Sequence, residues 1–341
     1  MEKKFREGDF IESRHGLIFD VKGLVHPPDR VIAFIRYYPS RVGERFAGSR
    51  IYEKVYSLPV RYEWLREYFP EYLVYDPVFD EVLCEVPVSH INKHYVPVEV
   101  LRRLRKARSQ DVLGRMVVEM AYLLKSSASI PWNTIGASGS IMVGLHTPNS
   151  DIDLIVYGSK NCWEVYHAIK SLSTEPSCPL KPYSPEDLRR LFDFRSKDTA
   201  VSFEDFVKTE SRKVLQGKFG ERDYFIRFVK DFNEISERYG DVQYKNCGYA
   251  KIEAAVADDS ESIFTPCTYK IEDVKVIEGP KFQPIEVVSF RGRFCEQARK
   301  NEKIIAQGKI EKVVDYRKGV EYFRLLIGNK PSDYMILKFR C

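Results

Sequence analysis

The chain has 341 residues, 44% of them hydrophobic and 30% charged, enough apolar side chains for a sizeable core and too many for global disorder. Its 54 basic and 49 acidic side chains leave a net charge of +5, too small to dictate a polyanionic partner. No apolar run reaches the roughly 18 residues of a membrane span, the polar opening Met1–Glu7 is unlike a secretory signal, and seven cysteines without a CxxC pair fit a reducing cytoplasm.

In chain order, Phe10–Glu12, Gly16–Val21, Arg30–Ile35 and Ile51–Tyr56 carry β-branched and aromatic residues between Gly, Pro and Asp breakers, and read as strands. His26-Pro27-Pro28-Asp29 is a turn. Short helices are expected near Tyr62–Phe69 and after Pro97. A longer helix starts at Ser109 or Asp111, with Val112, Leu113, Met116, Val117, Met120, Leu123 and Leu124 on the 3.6 period. A strand around Trp132–Ile135, a Gly/Ser-rich turn and a strand over Ile152–Tyr157 follow. Helices are predicted over Ser184–Phe194 and Ser202–Gln216, then a strand over Tyr224–Val229. From Tyr244 onward the pattern is short strands and turns, with one helix at Cys295–Asn301. The expected class is α+β. A β-rich N-terminal domain spans 1–95, a core of a mixed sheet with helices 96–235, and a β-rich C-terminal domain 236–341. Gln stands at only six positions, which together with the charge leans towards a heat-adapted protein.

The segment that carries chemistry runs from Gly136 to Gly158. Gly139-Ser140 is followed after ten residues by Asp151-Ile152-Asp153, which opens into the apolar Leu154–Tyr157. Alternate residues of a strand share a face, so both carboxylates can converge on the same ions while Ile152 and Leu154 enter the core. Oxygen-only ligands suit Mg²⁺ or Mn²⁺. Gly139 leaves room for close approach of a phosphate, and Ser140 offers a hydroxyl and an N–H where a helix begins.

This arrangement resembles the DNA polymerase β-like nucleotidyltransferase superfamily, whose signature is a Gly-Ser turn, a short helix and a strand bearing Asp-x-Asp. On that resemblance Asp151 and Asp153 match the metal-binding catalytic pair, and Gly139 with Ser140 the turn that holds the phosphates of a nucleoside triphosphate. The chain also looks like an archaeal group of uncharacterised nucleotidyltransferases, on Gly144-Leu145-His146-Thr147-Pro148 beside Ser150–Asp153 and on Gly16–Gly23. The resemblance covers about residues 110–230. It implies a third carboxylate on a later strand, for which Asp223 and Glu253 are the alternatives. It also implies transfer of a nucleoside monophosphate to an acceptor hydroxyl with release of pyrophosphate.

Weaker constellations complete the inventory. Arg212 and Lys213 on a predicted helix, and Arg227 on the strand after it, are candidates for phosphate contact; a solvated basic face is the plain alternative. Five basic residues among Leu101–Arg108, and the aromatic-basic run Phe290–Phe294, favour RNA as acceptor. DNA ends, protein hydroxyls and small molecules stay open. So does a nucleic-acid-binding or regulatory protein that keeps the fold without turnover. His90 and His94 are expected to be structural. The oligomeric state is not readable.

Overall fold

The computed structural model describes residues 4–108, 111–196 and 200–338. Among these it is a β-rich α+β protein with three sheets and seven α-helices. The chain divides into two compact units, each discontinuous in sequence.

The first unit draws on residues 1–73, 84–182 and 214–236. Its N-terminal sheet holds β1 (Phe10–Ser13), β2 (Ile18–Val21), β3 (Arg30–Pro39), β4 (Arg45–Ala47) and β5 (Arg50–Lys54). Next in the chain are β6 (Leu73–Asp76), β7 (Glu81–Pro87) and β8 (Ile91–Tyr95). The antiparallel order β4-β5-β3-β2-β1-β8 is extended by Glu85–Pro87 of β7, which pairs with Arg30–Ile32 of β3. Strict alternation in β3 sends Val31, Ala33 and Ile35 into a core with Phe5, Ile11, Phe19, Tyr72 and Val86. Tyr37 of β3 lies opposite Lys54 of β5, and the Val55 N–H donates to the Arg36 carbonyl at 3.0 Å.

The second sheet of this unit is mixed. It holds β9 (Ile135–Ala137), β10 (Ile152–Tyr157), β11 (Leu180–Lys181), β12 (Gln216–Phe219) and β13 (Arg222–Val229) in the order β11-β12-β13-β10-β9. Only β10 and β13 run parallel. β10 is an interior strand between β13 and β9 and almost wholly buried, which explains the continuous apolar run Leu154–Tyr157. Of the helices α1 (Leu58–Tyr68), α2 (Pro97–Lys106) and α3 (Val112–Ser127), the last starts at Asp111, whose side chain accepts from the Gly114 N–H at 2.7 Å. Ser109, the other expected start, lies outside the described residues. α3 buries Leu113, Val117, Met120 and Leu124 of the predicted stripe, leaves Met116 and Leu123 half-buried and Val112 exposed, and contacts β10. A single turn, α4 (Gly139–Met142), leads towards β10, and α5 (Ser159–Leu172) follows it.

The second unit takes 74–83, 183–213 and the chain from 237. Its sheet comprises β14 (Val242–Asp258), β15 (Cys267–Glu278), β16 (Pro284–Ser289), β17 (Lys303–Asp315), β18 (Val320–Leu326) and β19 (Tyr334–Leu337). The ladder runs β14-β15-β16-β18-β17 and closes, because β17 pairs back to β14; β16 and β18 are the parallel pair. α6 (Pro185–Arg195) opens with a Ser184–Asp187 capping box, and α7 (Phe203–Glu210) is capped by Ser202.

Three expectations are corrected. The helix predicted over Ser202–Gln216 ends at Glu210, because the chain from Leu215 is recruited to β13: the Ile226 N–H donates to the Leu215 carbonyl at 2.8 Å. Cys295–Asn301 is not a helix, since Glu296 and Asn301 take left-handed φ values of 55° and 69°. Trp132–Thr134 form a 3₁₀ turn, and the strand begins only at Ile135. Among the described residues no helix is long and apolar enough to cross a membrane.

Candidate active site

Asp151 precedes β10 and Asp153 lies on it, flanking the fully buried Ile152. Parallel pairing sets Tyr224 opposite Ile152 and Phe225 opposite Asp153. The same register brings Asp223 alongside Asp151, about one strand spacing of 4.8 Å away. Gly139 sits against this pair. Its φ is +66°, and a Cβ built on it would stand 1.9 Å from Oδ2 of Asp153. The Ser138 N–H donates to the Asp153 carbonyl at 2.9 Å, so turn and strand are joined by backbone as well. Ser140 is buried, and among the described residues its hydroxyl makes no hydrogen bond.

The loop between turn and strand is pinned along its length. His146 Nε2 lies 2.5 Å from Asp111 Oδ2, the Thr147 N–H donates to Ser150 Oγ at 2.9 Å, and Arg222 donates to the carbonyls of Pro148 and Ser150. These contacts account for the Gly144–Pro148 motif as a brace for the strand that carries Asp153.

The N-terminal sheet contributes directly to this face. Glu7 and Asp20 are buried and share two cations: Lys22 Nζ is 2.9 Å from Glu7 and 3.0 Å from Asp20, and Arg227 Nη1 is 2.7 Å and 3.4 Å from the same carboxylates. Burial opposes ionisation of Asp20, but Lys22, Arg227 and Arg36 outweigh it and hold its carboxyl below the usual range. At the site itself the balance reverses. Desolvation, then repulsion from Asp153 and Asp223, raises Asp151 to about 6 against Lys54 and Lys218. Burial likewise raises Asp153, although Lys54, Arg36 and Arg227 act against it. Desolvation, together with Arg36 and Arg45, lowers Lys54 to about 7 in spite of Asp153 and Asp151.

Among the described residues no three His, Cys, Asp or Glu side chains form a closed metal site. The donor set still suits a hard cation. It is carboxylate oxygen throughout, and burial first, with repulsion from Asp153 and Asp223 second, raises Asp151. Mg²⁺ is commonly held by one or two carboxylates with substrate phosphates as the remaining ligands.

Of the residues singled out in the sequence, Asp151, Asp153, Gly139 and Ser140 come together, and Asp223 joins them through the register. Asp223 is also 2.9 Å from Lys218. Glu253 lies on β14 in the other unit, 2.6 Å from Lys338. Arg212 and Lys213 belong to that unit too, and the phosphate-binding expectation is corrected: their charge is already engaged. Arg212 pairs with both oxygens of Glu302, while buried Lys213 donates to Glu210, Gln297 and the Arg293 carbonyl. Arg227 is committed to Glu7 and Asp20. His94 meets Asp9 at 2.9 Å and His90 meets Tyr72 at 3.3 Å, structural roles as expected. In Phe290–Phe294, Phe294 is buried and its carbonyl accepts from the Tyr269 hydroxyl, so that run is no exposed stacking platform. Sequence reasoning missed Arg36, Arg45 and Lys54. No spacing signal marks them, because tertiary packing alone brings the N-terminal strands to Asp153.

Comparison with known proteins finds no matching family model and no matching solved structure. An uncharacterised protein of Methanocaldococcus jannaschii is similar to the chain, 32% identical over 344 aligned positions that cover 97% of each sequence.

Proposed function

We propose that this chain, which belongs to the same family as the uncharacterised Methanocaldococcus jannaschii protein, is a metal-dependent nucleotidyltransferase of the polymerase β-like kind. The observation that carries the reading is the contact of the bare Gly139 turn with Asp153, with Asp151 and Asp223 on the same face. In the reaction a nucleoside triphosphate donates its nucleoside monophosphate to an acceptor hydroxyl, and pyrophosphate leaves.

Each residue has a definite task. Gly139 keeps the turn free of a side chain, so that backbone N–H groups without intrahelical partners can reach phosphate oxygens. α4 is only one turn long, so these N–H groups and the Ser140 hydroxyl, rather than a helix dipole, do the binding. Asp151 and Asp153 would hold Mg²⁺ or Mn²⁺, with Asp223 as the third carboxylate. The bound ion supplies charge neutralisation at phosphorus and a more acidic acceptor hydroxyl. The Glu7–Asp20–Lys22–Arg227 network fixes the floor beneath Asp153.

For the acceptor we favour RNA. The closed barrel of the second unit has its first, second, third, fifth and fourth strands in ring order with the third and fifth parallel, the connectivity of the oligonucleotide-binding barrel. The same barrel would serve the rival reading of a nucleic-acid binder without turnover. One experiment separates the two. The protein is incubated with Mg²⁺ or Mn²⁺ and each labelled triphosphate, together with RNA, DNA, protein or metabolite fractions. Label entering the RNA fraction, and lost in Asp151→Asn/Asp153→Asn, is the expected result. RNA binding with no label in any fraction would establish the rival.

A further inference from the structure

Most cations around the catalytic face are spent on the fold: Lys22 and Arg227 on Glu7 and Asp20, Lys218 on Asp223. Three from the N-terminal sheet pair with no carboxylate among the described residues, although Lys54 lies 4.5 Å from the Tyr56 ring centre and Arg45 5.8 Å from that of Tyr37. The side chains of Arg36 and Lys54 make no hydrogen bond or salt bridge among the described residues, and Nε of Arg36 is buried without a partner. Arg45 gives one N–H to the Leu145 carbonyl at 2.5 Å and keeps its charge uncompensated. Leu145 lies in the loop that leaves α4, and its own N–H donates to the Ser140 carbonyl at 2.9 Å, so Arg45 is tied to the Gly139–Ser140 turn. Arg36 and Lys54 both act electrostatically on Asp153, the residue that touches Gly139. Two carboxylates are thus faced by three cations with donor capacity to spare. A buried guanidinium N–H left unsatisfied is costly unless a ligand completes it. Planar guanidinium groups and an ammonium in one cluster match the oxygens of a phosphate chain.

We infer that Arg36, Arg45 and Lys54 form an anion-binding pole that receives the phosphate chain of the triphosphate. The pole rests on the Arg45 bond to Leu145, on the unpartnered Nε of Arg36 and on the β3–β5 pairing that sets Lys54 across from Tyr37, next to Arg36; its assignment to a triphosphate rests on the nucleotidyltransferase reading. The N-terminal sheet is then part of the substrate site.

The test is calorimetric titration of inorganic tripolyphosphate into the full chain at low salt with EDTA present, so that no metal is involved. The native protein should bind it more tightly than orthophosphate. Arg36→Gln/Lys54→Met should bind about tenfold more weakly or worse, and the conservative Arg36→Lys/Lys54→Arg should recover most of the loss. A thermal melt verifies folding, and Arg45→Gln, which removes one group rather than two, gives the same readout if the double variant does not fold. Folded variants that bind tripolyphosphate as the native chain does would overturn the pole. ATP should displace tripolyphosphate. Orthophosphate that still binds through Arg36 and Lys54 in ATP-saturated protein would assign the pole to a phosphate of the acceptor and overturn the triphosphate assignment. If the pole is confirmed but the native protein labels no acceptor, the transferase reading fails and the anion site stands.

Discussion

Replacing Gly139 by alanine separates two physical effects, because Gly144 provides a matched control. Both glycines have positive φ, +66° and +71°. A Cβ at Gly144 meets nothing within 4 Å, whereas at Gly139 it would stand 1.9 Å from Oδ2, 2.7 Å from Cγ and 2.9 Å from Cβ of Asp153. The backbone cost, about 1–2 kcal/mol for an L-residue in the left-handed region, is common to both. The clash is not. The carboxylate oxygen and Cγ could swing away only if Asp153 leaves its rotamer, but Cβ is fixed to β10, so the turn must retreat as well. Such overpacking adds a further ~1–3 kcal/mol. Urea denaturation should therefore place Gly144→Ala about 1–2 kcal/mol below the native protein and Gly139→Ala clearly lower. Titration with Mg²⁺ and ATP should show native affinity in Gly144→Ala and none in Gly139→Ala. Equal stability of the two variants, with triphosphate binding intact in Gly139→Ala, would refute the placement of the turn against Asp153.

Three other outcomes follow from the charges. Asp151 is raised to about 6 in the fold, so the folded state holds its proton over a pH range in which the unfolded chain has lost it; metal-free protein should lose stability as pH rises from about 4 through 6, and the Asp151→Asn melting profile should be flatter across that window. Added Mg²⁺ should raise the native melting temperature more at pH 7.5 than at pH 5, and an equal rise at both would contradict it. Arg227→Met strands two buried carboxylates on Lys22 alone and should cost about 3–5 kcal/mol in urea denaturation. If RNA is the acceptor, log affinity should fall with log salt by roughly 0.7 per phosphate contacted, and Arg102→Ala with Arg103→Ala should flatten that slope. Arg105 is left out of that pair because its guanidinium lies 3.4 Å from the Trp132 ring centre and serves packing.

The parts of the site that were legible in the sequence are those fixed by short-range geometry. Asp151 and Asp153 share a face because strands alternate, and β10 was bounded correctly because a fully buried strand is an uninterrupted apolar run. α3 was legible from its stripe and its Asp111 cap. Asp223 could not be separated from Glu253 by pattern, since both stand on strands; the parallel register of β10 and β13 distinguishes them. Arg212 and Lys213 looked like free cations because their partners, Glu302 and Gln297, are remote in sequence. α5 went unforeseen because it buries only Cys162, Val165 and Ile169, too thin a stripe to stand out. Arg36 and Lys54 were invisible for the opposite reason: each is an ordinary strand residue whose meaning comes from a different sheet.

The interleaved make-up of the two units has a consequence for biosynthesis. Residues 74–83 and 183–213 emerge from the ribosome well before the barrel strands against which they are satisfied. Phe79 awaits stacking on Tyr244, Glu81 awaits Lys309, and Arg212 awaits Glu302. Conversely, β12 and β13, which complete the mixed sheet of the first unit, arrive only after the second of these excursions. The second unit therefore cannot mature before the barrel strands arrive, and a cut at residue 95 would sever both units whereas a cut at 235 would sever the second. In a nascent chain the face around Asp153 stays unfinished until β13 joins β10, so the charged cluster of Glu7, Asp20, Lys22 and Arg227 is among the last features of the first unit to form.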